Sequence, residues 1–236
     1  IKYCEKDTIV TWGVFDHEKV ASLPKAKALA FATGLPLEHC FSPVTTRLVD
    51  AILIRKFDKA GYAVPQNRWG DKAEKIKGAT VFDIFEPGIF NNVGILDFKS
   101  MYPSVMVKNN ICPTTLIKKR IIGERCVRSP LGALFRQERK GIVPDVLESL
   151  WKWRDETKVK VNEPGDYYDR LQYSIKVLMN SFYGVMASSF YRFTNPKIGG
   201  SVTAFARRGI ENVYDKLKDM GYTVIYGDTD SVFVQL

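Results

Sequence analysis

Cysteine is scarce in this chain, and its spacing does not predict a metal site. The 236 residues include four cysteines, and no two of them form a Cys-x-x-Cys pair. This pattern argues against a zinc-binding domain and a disulfide framework, so we interpret the cysteines as reduced thiols of an intracellular protein. The sequence also lacks a visible signal peptide, internal repeats and any apolar run long enough to cross a membrane. The cysteines are Cys4, Cys40, Cys112 and Cys126.

Acidic residues are fewer than basic ones, and the chain has a formal net charge of +9. A basic balance suits a polyphosphate partner such as DNA and predicts salt-dependent binding. It would suit RNA or an anionic membrane equally well, so charge alone does not choose among these partners. The 45% hydrophobic content is enough for a substantial core.

The most informative segment is 226–231, which reads YGDTDS. β-Branched and aromatic residues flank it on both sides, which predicts the two strands of a tight hairpin. Gly227, Asp228 and Asp230 are expected to supply the turn. Two carboxylates one residue apart repel each other unless a cation lies between them, so the segment indicates a divalent metal site. A solvated acidic turn is the alternative interpretation.

A further acid lies where a predicted strand passes into a predicted helix. Residues 92–99 read NVGILDFK, an apolar strand with Asp97 near its end. Pro103 follows at a position that suits the first turn of a helix, because its missing N–H costs nothing there. Free backbone N–H groups at such a helix start can bind an anion close to a metal-bound carboxylate. The alternative is an aspartate that only caps the next helix.

A third segment, 176–184, reads KVLMNSFYG. On a helix, Lys176, Asn180 and Tyr183 share one face, whereas apolar residues at 171, 175, 178 and 182 lie toward another face. Arg154 and Lys158 are four residues apart on a preceding helical stretch, and turn-forming residues at 162–166 join the two stretches. The pattern predicts an antiparallel helical hairpin with a cationic face. A solvated surface is the simpler interpretation, but Asn and Tyr on the same stripe favour a nucleotide site.

Together the three segments resemble motifs of the family B DNA polymerases. Segment 97–104, which reads DFKSMYPS, is similar to the first palm motif, 176–184 to the fingers motif and 226–231 to the second palm motif. The motifs occur in the family order, and the resemblance covers nearly the whole chain. It implies an α+β fold, in which a palm has an antiparallel β-sheet backed by helices and the fingers are an antiparallel helical hairpin.

The resemblance also divides the chain. Residues 1–40 are expected to be the C-terminal end of a 3′–5′ exonuclease domain, and residues 41–78 a connector. Residues 79–142 and 186–236 are expected to form the palm, and residues 143–185 the fingers. Within the second palm part, an apolar stripe at helical spacing is expected to pack behind the sheet and to end at Gly221. The stripe consists of Ala206, Ile210, Val213, Leu217 and Met220.

The activity implied by the resemblance is nucleotidyl transfer from a deoxynucleoside triphosphate to a primer 3′ hydroxyl, by a two-metal mechanism. Asp97 and Asp230 would bridge the two metals, with Asp228 auxiliary and the backbone carbonyl of Phe98 completing one shell. Oxygen ligands of this kind favour Mg²⁺, with Mn²⁺ as the alternative. Lys176 is expected to protonate the departing pyrophosphate.

The nucleotide would be held by cations, by backbone N–H groups and by one aromatic ring. Tyr102 is expected to lie under the sugar and to reject a 2′ hydroxyl by steric clash. Met101 replaces the leucine that is common at this motif position, with little expected effect because the two side chains are similar in volume. The expected nucleotide-binding residues are Ser100, Met101, Tyr102, Arg154, Lys158, Lys176, Asn180 and Tyr183.

Tyr3 and Asp7 resemble the last motif of the family's proofreading exonuclease. They are four residues apart on a predicted helix, which is a weak pattern by itself. The other exonuclease carboxylates would precede Ile1, so we expect the chain to be a fragment that cannot proofread alone, although its parent would. The thumb that wraps the duplex in this family is also expected to be absent.

Three functions stay open from the sequence. The first is a DNA polymerase, most simply DNA-templated, that extends primer–template DNA. The others are an RNA-templated palm nucleotidyltransferase and a catalytically inactive DNA-binding remnant. The expected partners are primer–template DNA, deoxynucleoside triphosphates and, for a full-length parent, a sliding clamp, with no membrane partner. The expected location is intracellular: cytoplasm or nucleoid for an archaeal, bacterial or viral source, nucleus for a eukaryotic one.

Overall fold

The computed structural model describes residues 2–16, 22–41, 45–66, 76–82, 87–120, 122–162, 167–188 and 191–236. The helices are α1 (Lys2–Asp16), α2 (Ser22–Thr33), α3 (Glu38–Phe41), α4 (Thr45–Lys59), α5 (Met101–Lys108), α6 (Ile142–Val159), α7 (Tyr167–Ala187) and α8 (Pro196–Asp219). The strands are β1 (Val81–Phe82), β2 (Val93–Asp97), β3 (Leu116–Ile117), β4 (Cys126–Arg128), β5 (Leu134–Arg136), β6 (Thr223–Asp228) and β7 (Ser231–Gln235).

The chain forms two compact units. The first consists of Ile1–Val64 and Glu148–Ser181, and the second of Pro65–Leu147 and Phe182–Leu236. Helices dominate the first unit, and antiparallel sheets with helices make up the second. The predicted α+β class is therefore confirmed. The expected boundaries of exonuclease end, connector, palm and fingers stay a prediction.

In the first unit, α2 and α4 bury apolar faces. Leu29 of α2 and Leu53 of α4 are 3% and 0% exposed. Helix α2 ends at Thr33, and Gly34 then has a φ of +64°, a left-handed conformation that glycine adopts without strain. The Arg55 side chain of α4 donates to the carbonyl of Thr33, so it satisfies one of the free carbonyls at this helix end.

Helices α6 and α7 contact each other within the first unit in antiparallel order. Lys160, just after α6, lies 5.5 Å from the ring centroid of Tyr168 near the start of α7. Six residues earlier, Arg154 lies 3.4 Å from the Gln172 side chain, one turn further along α7. Residues late in α6 thus contact residues early in α7, so the two helices run antiparallel, as the sequence predicts. The predicted turn at 162–166 falls, apart from residue 162, outside the described residues.

The second unit contains an antiparallel sheet with strand order β1-β6-β7-β2. Helices α5 and α8 pack together, and α8 packs on β6 and β7. The core between them contains Met101, Ala206, Ile210, Val224, Val232 and Val234. Alternation along β7 places Val232 and Val234 on this buried side.

The apolar stripe of α8 packs behind the sheet as predicted, except at its last member. Ala206 and Ile210 are buried, and Val213 and Leu217 pack against the same core. Met220 is 69% exposed, so its predicted place in the core is wrong. The helix ends at Asp219 with Met220 as its C-cap, and Gly221, at a φ of +86°, then redirects the chain toward β6.

A smaller antiparallel sheet, with strand order β3-β5-β4, completes the second unit. The Asn110 side chain links it to the start of α6. Its amide nitrogen donates to the carbonyls of Arg136 and Arg139 at 2.7 and 2.8 Å, and its amide oxygen accepts from the N–H of Gly141 at 2.8 Å. Over the described parts of the chain, every helix is too short or too polar to cross a bilayer.

Candidate active site

The acidic hairpin is formed by β6 and β7. Asp228 pairs with Ser231, so Thr229 and Asp230 are the two turn residues. Thr229 has a φ of +53° and its N–H donates to the carbonyl of Thr80 at 3.0 Å, while its hydroxyl donates to the Asp228 carboxylate at 2.8 Å. The hairpin is thus where the sequence predicts it, and the bond to Thr80 anchors its tip to another part of the chain.

Gly227 is not part of the turn, contrary to the sequence interpretation. It lies inside β6 and pairs with Val232. A Cβ at this position would lie 2.5 Å from the Cδ2 atom of Phe82 and 3.4 Å from the carbonyl oxygen of Ser231. The absence of a side chain at Gly227 therefore lets the Phe82 ring of β1 pack closely on the β6 backbone. Such a close approach is a common reason for a glycine inside a strand.

Strand β2 brings Asp97 to the same end of the sheet. Asp97 pairs with Ser231 of β7, and the N–H of Phe98 donates to the carbonyl of Asp230 at 2.8 Å. Because the strand pairing fixes this register, residues separated by more than 130 positions become neighbours. The three predicted metal acids, Asp97, Asp228 and Asp230, therefore lie at the same end of one sheet. We call this end of the sheet the acidic edge.

The electrostatics of Asp230 reflect this placement. Burial raises the pKa of Asp230, and the negative charges of Asp97 and Asp228 raise it further, while its own backbone N–H partly opposes them. A cation bound between the three carboxylates would offset their mutual repulsion and favour the ionised form of Asp230.

The chemistry of these donors fits a divalent ion, because carboxylate and carbonyl oxygens are the ligands that Mg²⁺ prefers. Their spacing is not that of a finished site: among the residues described, no group of three His, Cys, Asp or Glu side chains has metal-binding geometry. The carboxylate of Asp97 is exposed at a strand end, so its side chain can adopt other rotamers.

Helix α5 begins directly after this edge. Ser100 is its N-cap, with a φ of 50°, and its side chain makes no capping hydrogen bond. The N–H groups of Met101 and Tyr102 lie in the first turn, where they have no intrahelical acceptor. The Met101 side chain is only 4% exposed and belongs to the core. We therefore assign only the backbone N–H of Met101 to the nucleotide site.

Tyr102 and Tyr183 form an aromatic pair, with ring centroids 4.3 Å apart and an interplanar angle of 39°. Burial raises the pKa of Tyr102, and the charges of Asp230 and Asp228 raise it further, against the opposing effect of Arg207. Tyr102 is therefore a neutral phenol beside the acidic edge. Burial likewise raises the pKa of Tyr183, followed by the effect of Tyr102.

Arg207 lies close enough to Tyr102 to lower its pKa, and the sequence interpretation did not single it out. Its guanidinium donates to the carbonyl of Lys77 at 2.8 Å and to that of Gly78. It also lines a cleft of 320 Å³ with Lys77 and Lys197. No local signal could identify it, because Arg207 and Arg208 resemble an ordinary charged helix surface and the acceptors lie 129 and 130 residues earlier.

The remaining predicted nucleotide-binding residues belong to the first unit. Lys158, Lys176 and Asn180 are exposed, and their role in nucleotide binding stays a prediction. Arg154 differs, because it is 8% exposed and both Nε and Nη2 lie 3.4 Å from the Gln172 side-chain oxygen. The Gln172 amide in turn donates to Asp169 at 3.0 Å, so Arg154 has a structural role here.

Tyr3 and Asp7 lie on α1 with exposed side chains, and Tyr3 is 76% exposed. The helix itself agrees with the predicted four-residue spacing. Their assignment to an exonuclease motif stays a prediction.

Comparison with known proteins gives one family. The sequence profile described as DNA polymerase family B matches residues 35–236. DNA polymerase 2 of Aeropyrum pernix is 32% identical over 99% of this chain and 30% of its own length. DNA polymerase II of Escherichia coli is 30% identical over 98% of the chain and 29% of its own length.

The fold agrees with the sequence. The family B DNA polymerase of Pyrobaculum calidifontis superposes with a TM-score of 0.74 at 33% identity, covering 91% of this chain and 29% of that one. The chain thus spans less than a third of the length of these relatives. By profile, sequence and fold, this chain belongs to family B of the DNA polymerases.

Proposed function

We propose that this chain carries the nucleotidyl-transfer site of a template-directed DNA polymerase. The observation that supports it best is the meeting of Asp97, Asp228 and Asp230 at one sheet edge, where the pKa of Asp230 is raised. Perturbed acids in this arrangement are typical of catalytic sites. In the reaction, the primer 3′ oxygen bonds to the α-phosphorus of a deoxynucleoside triphosphate as the bond to pyrophosphate breaks.

Asp97 and Asp230 would hold divalent ions, with Asp228 and the Phe98 carbonyl as further ligands. When bound, two such ions, Mg²⁺ or Mn²⁺, supply charge neutralisation at the attacking and leaving oxygens. The register of β2 against β7 supports this assignment, because it keeps Asp97 beside the turn that carries Asp230.

The start of α5 would bind phosphate through the backbone N–H groups of Met101 and Tyr102. The Tyr102 ring would lie against the deoxyribose, with Tyr183 as its support on the other side. In the first unit, the exposed Lys158 and Lys176 would bind the triphosphate as point charges. Arg154 could contribute only after it leaves Gln172.

The cleft lined by Lys77, Lys197 and Arg207 would bind the phosphate backbone of DNA. The Arg207 guanidinium holds the backbone at 77 and 78 in place, so the segment that carries Lys77 is fixed beside the α8 cations. Cationic side chains around such a cleft release counterions from DNA on binding.

Primer extension with Mg²⁺ tests the proposal. We would assay this chain alone and as a chimera in which it replaces the matching segment of Escherichia coli DNA polymerase II. We expect the chimera to extend a DNA primer, and Asp230→Asn to lower kcat by about a thousandfold, the effect of several kcal/mol of lost charge stabilisation. The exposed α8 acid Asp215 gives the control, Asp215→Asn, with unchanged kcat.

The alternatives predict different results. DNA binding without extension by the folded chimera would identify an inactive remnant. Faster extension on an RNA template than on DNA would favour an RNA-templated enzyme. Exonuclease activity of a longer parent, with Tyr3 and Asp7 in its site, and a sliding-clamp partner stay as separate proposals.

A further inference from the structure

A second cleft in the second unit lies beside the acidic edge, and the residues that line it include Phe98 and Met101. It has a volume of 380 Å³ and lies between α5 and α8, and we call it the α5–α8 cleft. Its floor is apolar: Met101, Phe205 and Ala206 are between 3% and 7% exposed. A volume of this size is within the range of small-molecule sites, about 300–1,000 Å³.

The rim of the α5–α8 cleft is polar and positively charged. Lys108 ends α5, and Arg208 lies on α8, and both side chains are exposed. The Arg208 guanidinium carbon is 5.2 Å from the centroid of the Phe205 ring, a contact that orients its charge at the edge of the floor. The described residues that line the cleft include no acid.

An apolar floor under two cations complements one kind of ligand. We propose that the α5–α8 cleft binds an amphipathic organic anion, with a compact apolar body against Phe205 and Met101 and one anionic group between Lys108 and Arg208. Apolar burial supplies most of the binding free energy, and the charge-assisted contacts fix the orientation. This site does not depend on the nucleotidyl-transfer function proposed above.

Gly209 offers a way to close the cleft without disturbing the fold. It lines the cleft in the middle of α8, and a Cβ at this position would have no heavy atom within 4 Å. A leucine side chain there would extend into the empty space. Because glycine is a poor helix former, Gly209→Leu should keep or raise the thermal stability of the helix.

The test uses 8-anilinonaphthalene-1-sulfonate as the probe, in fluorescence titrations of the purified chain. We expect saturable binding at one site, and no binding by Gly209→Leu at the same concentrations. Lys108→Gln and Arg208→Gln should each weaken binding about tenfold, the effect of one lost charge-assisted contact. The control Lys216→Gln removes an exposed α8 cation that does not line the cleft, and should leave binding unchanged.

Two further titrations sharpen the result. The uncharged N-phenyl-1-naphthylamine should bind more weakly than the sulfonate and should not respond to Arg208→Gln. Excess dATP with Mg²⁺ should not displace the sulfonate. Any of three results would overturn the proposal: wild-type affinity in a folded Gly209→Leu variant, no effect of either cation substitution, or displacement of the sulfonate by dATP. Circular dichroism melting curves show whether each variant is folded.

Discussion

At the scale of single residues, Tyr102 is affected both by the charges of the acidic edge and by contact with a second aromatic ring. Asp230 and Asp228 lie close enough to raise the pKa of Tyr102, and Tyr183 covers one part of its ring. The ring is therefore neutral and restricted in its rotamers. Rigidity is the property that steric exclusion of a 2′ hydroxyl requires, since a mobile side chain would yield to ribose.

We expect Tyr102→Ala to increase ribonucleotide incorporation relative to deoxyribonucleotide incorporation, by about 10- to 200-fold, the range for one small steric difference in a pocket. The ratio of kcat/KM for the two nucleotides, measured in the chimera, tests it. Tyr102→Phe keeps the ring and should keep the discrimination. If Tyr102→Ala discriminates against ribonucleotides as strongly as the wild type does, the steric role of Tyr102 is contradicted.

Lys176 carries a separate prediction, because arginine keeps its charge but cannot release a proton near neutral pH. If Lys176 protonates pyrophosphate, Lys176→Arg should lower kcat by about a hundredfold or more and change the pH profile. Lys158→Arg, also on an exposed side chain, should change kcat little. An unchanged kcat and pH profile for Lys176→Arg would leave Lys176 as a binding residue only.

The cysteines give a prediction that needs no catalytic activity. Burial raises the pKa of the Cys112 thiol against weaker hydrogen-bond effects, and its side chain is 0% exposed, whereas Cys4 is exposed. At pH 8, 5,5′-dithiobis(2-nitrobenzoate) should modify Cys4 at least about tenfold faster than Cys112, because the thiolate is the reactive form. Mass spectrometry of digested samples identifies the modified site. Guanidinium chloride should remove the difference.

At the scale of elements, the sheet depends on close packing at one glycine. The Phe82 ring stacks on Tyr214 of α8, with centroids 4.6 Å apart, and so has little freedom to move away from Gly227. We expect Gly227→Ala to lower the free energy of unfolding by about 1–3 kcal/mol, the cost of overpacking. Chemical denaturation followed by circular dichroism measures the change.

Gly184 provides the matched control, because it lies inside α7 and a Cβ there would have no heavy atom within 4 Å. Gly184→Ala should raise the free energy of unfolding by about 0.5–1 kcal/mol through helix propensity. A loss of stability in both variants would show that the packing argument for Gly227 is incorrect.

At the scale of the whole molecule, the net charge of +9 should make DNA binding depend on salt. If Lys77 contacts a phosphate, Lys77→Gln should reduce the slope of log K against log salt concentration by about 0.9. Fluorescence anisotropy of a labelled primer–template over a range of NaCl concentrations measures the slope. Lys59→Gln, at an exposed position at the end of α4, is the control, and an equal effect of both variants would contradict the assignment.

Several elements followed from local patterns alone. Alternation and turn residues predicted the β6–β7 hairpin, and the i, i+4, i+7 spacing predicted α7 with Leu171, Ile175 and Leu178 buried. Family membership also followed, because its motifs are short contiguous runs. Met220 and Gly227 were interpreted incorrectly, because the first depends on where a helix leaves the sheet and the second on a strand from another part of the chain.

The sequence by itself thus determined the family, the α+β class and the types of side chain available for chemistry, since these depend on periodicity and on contiguous motifs. Only the tertiary structure decided that Asp97 pairs beside Asp230, that Arg207 holds the backbone at 77 and 78, and that α5 and α8 leave a cationic cleft. The physical reason is that strand register and helix packing set these contacts across more than 90 residues of sequence, where local propensity carries no information.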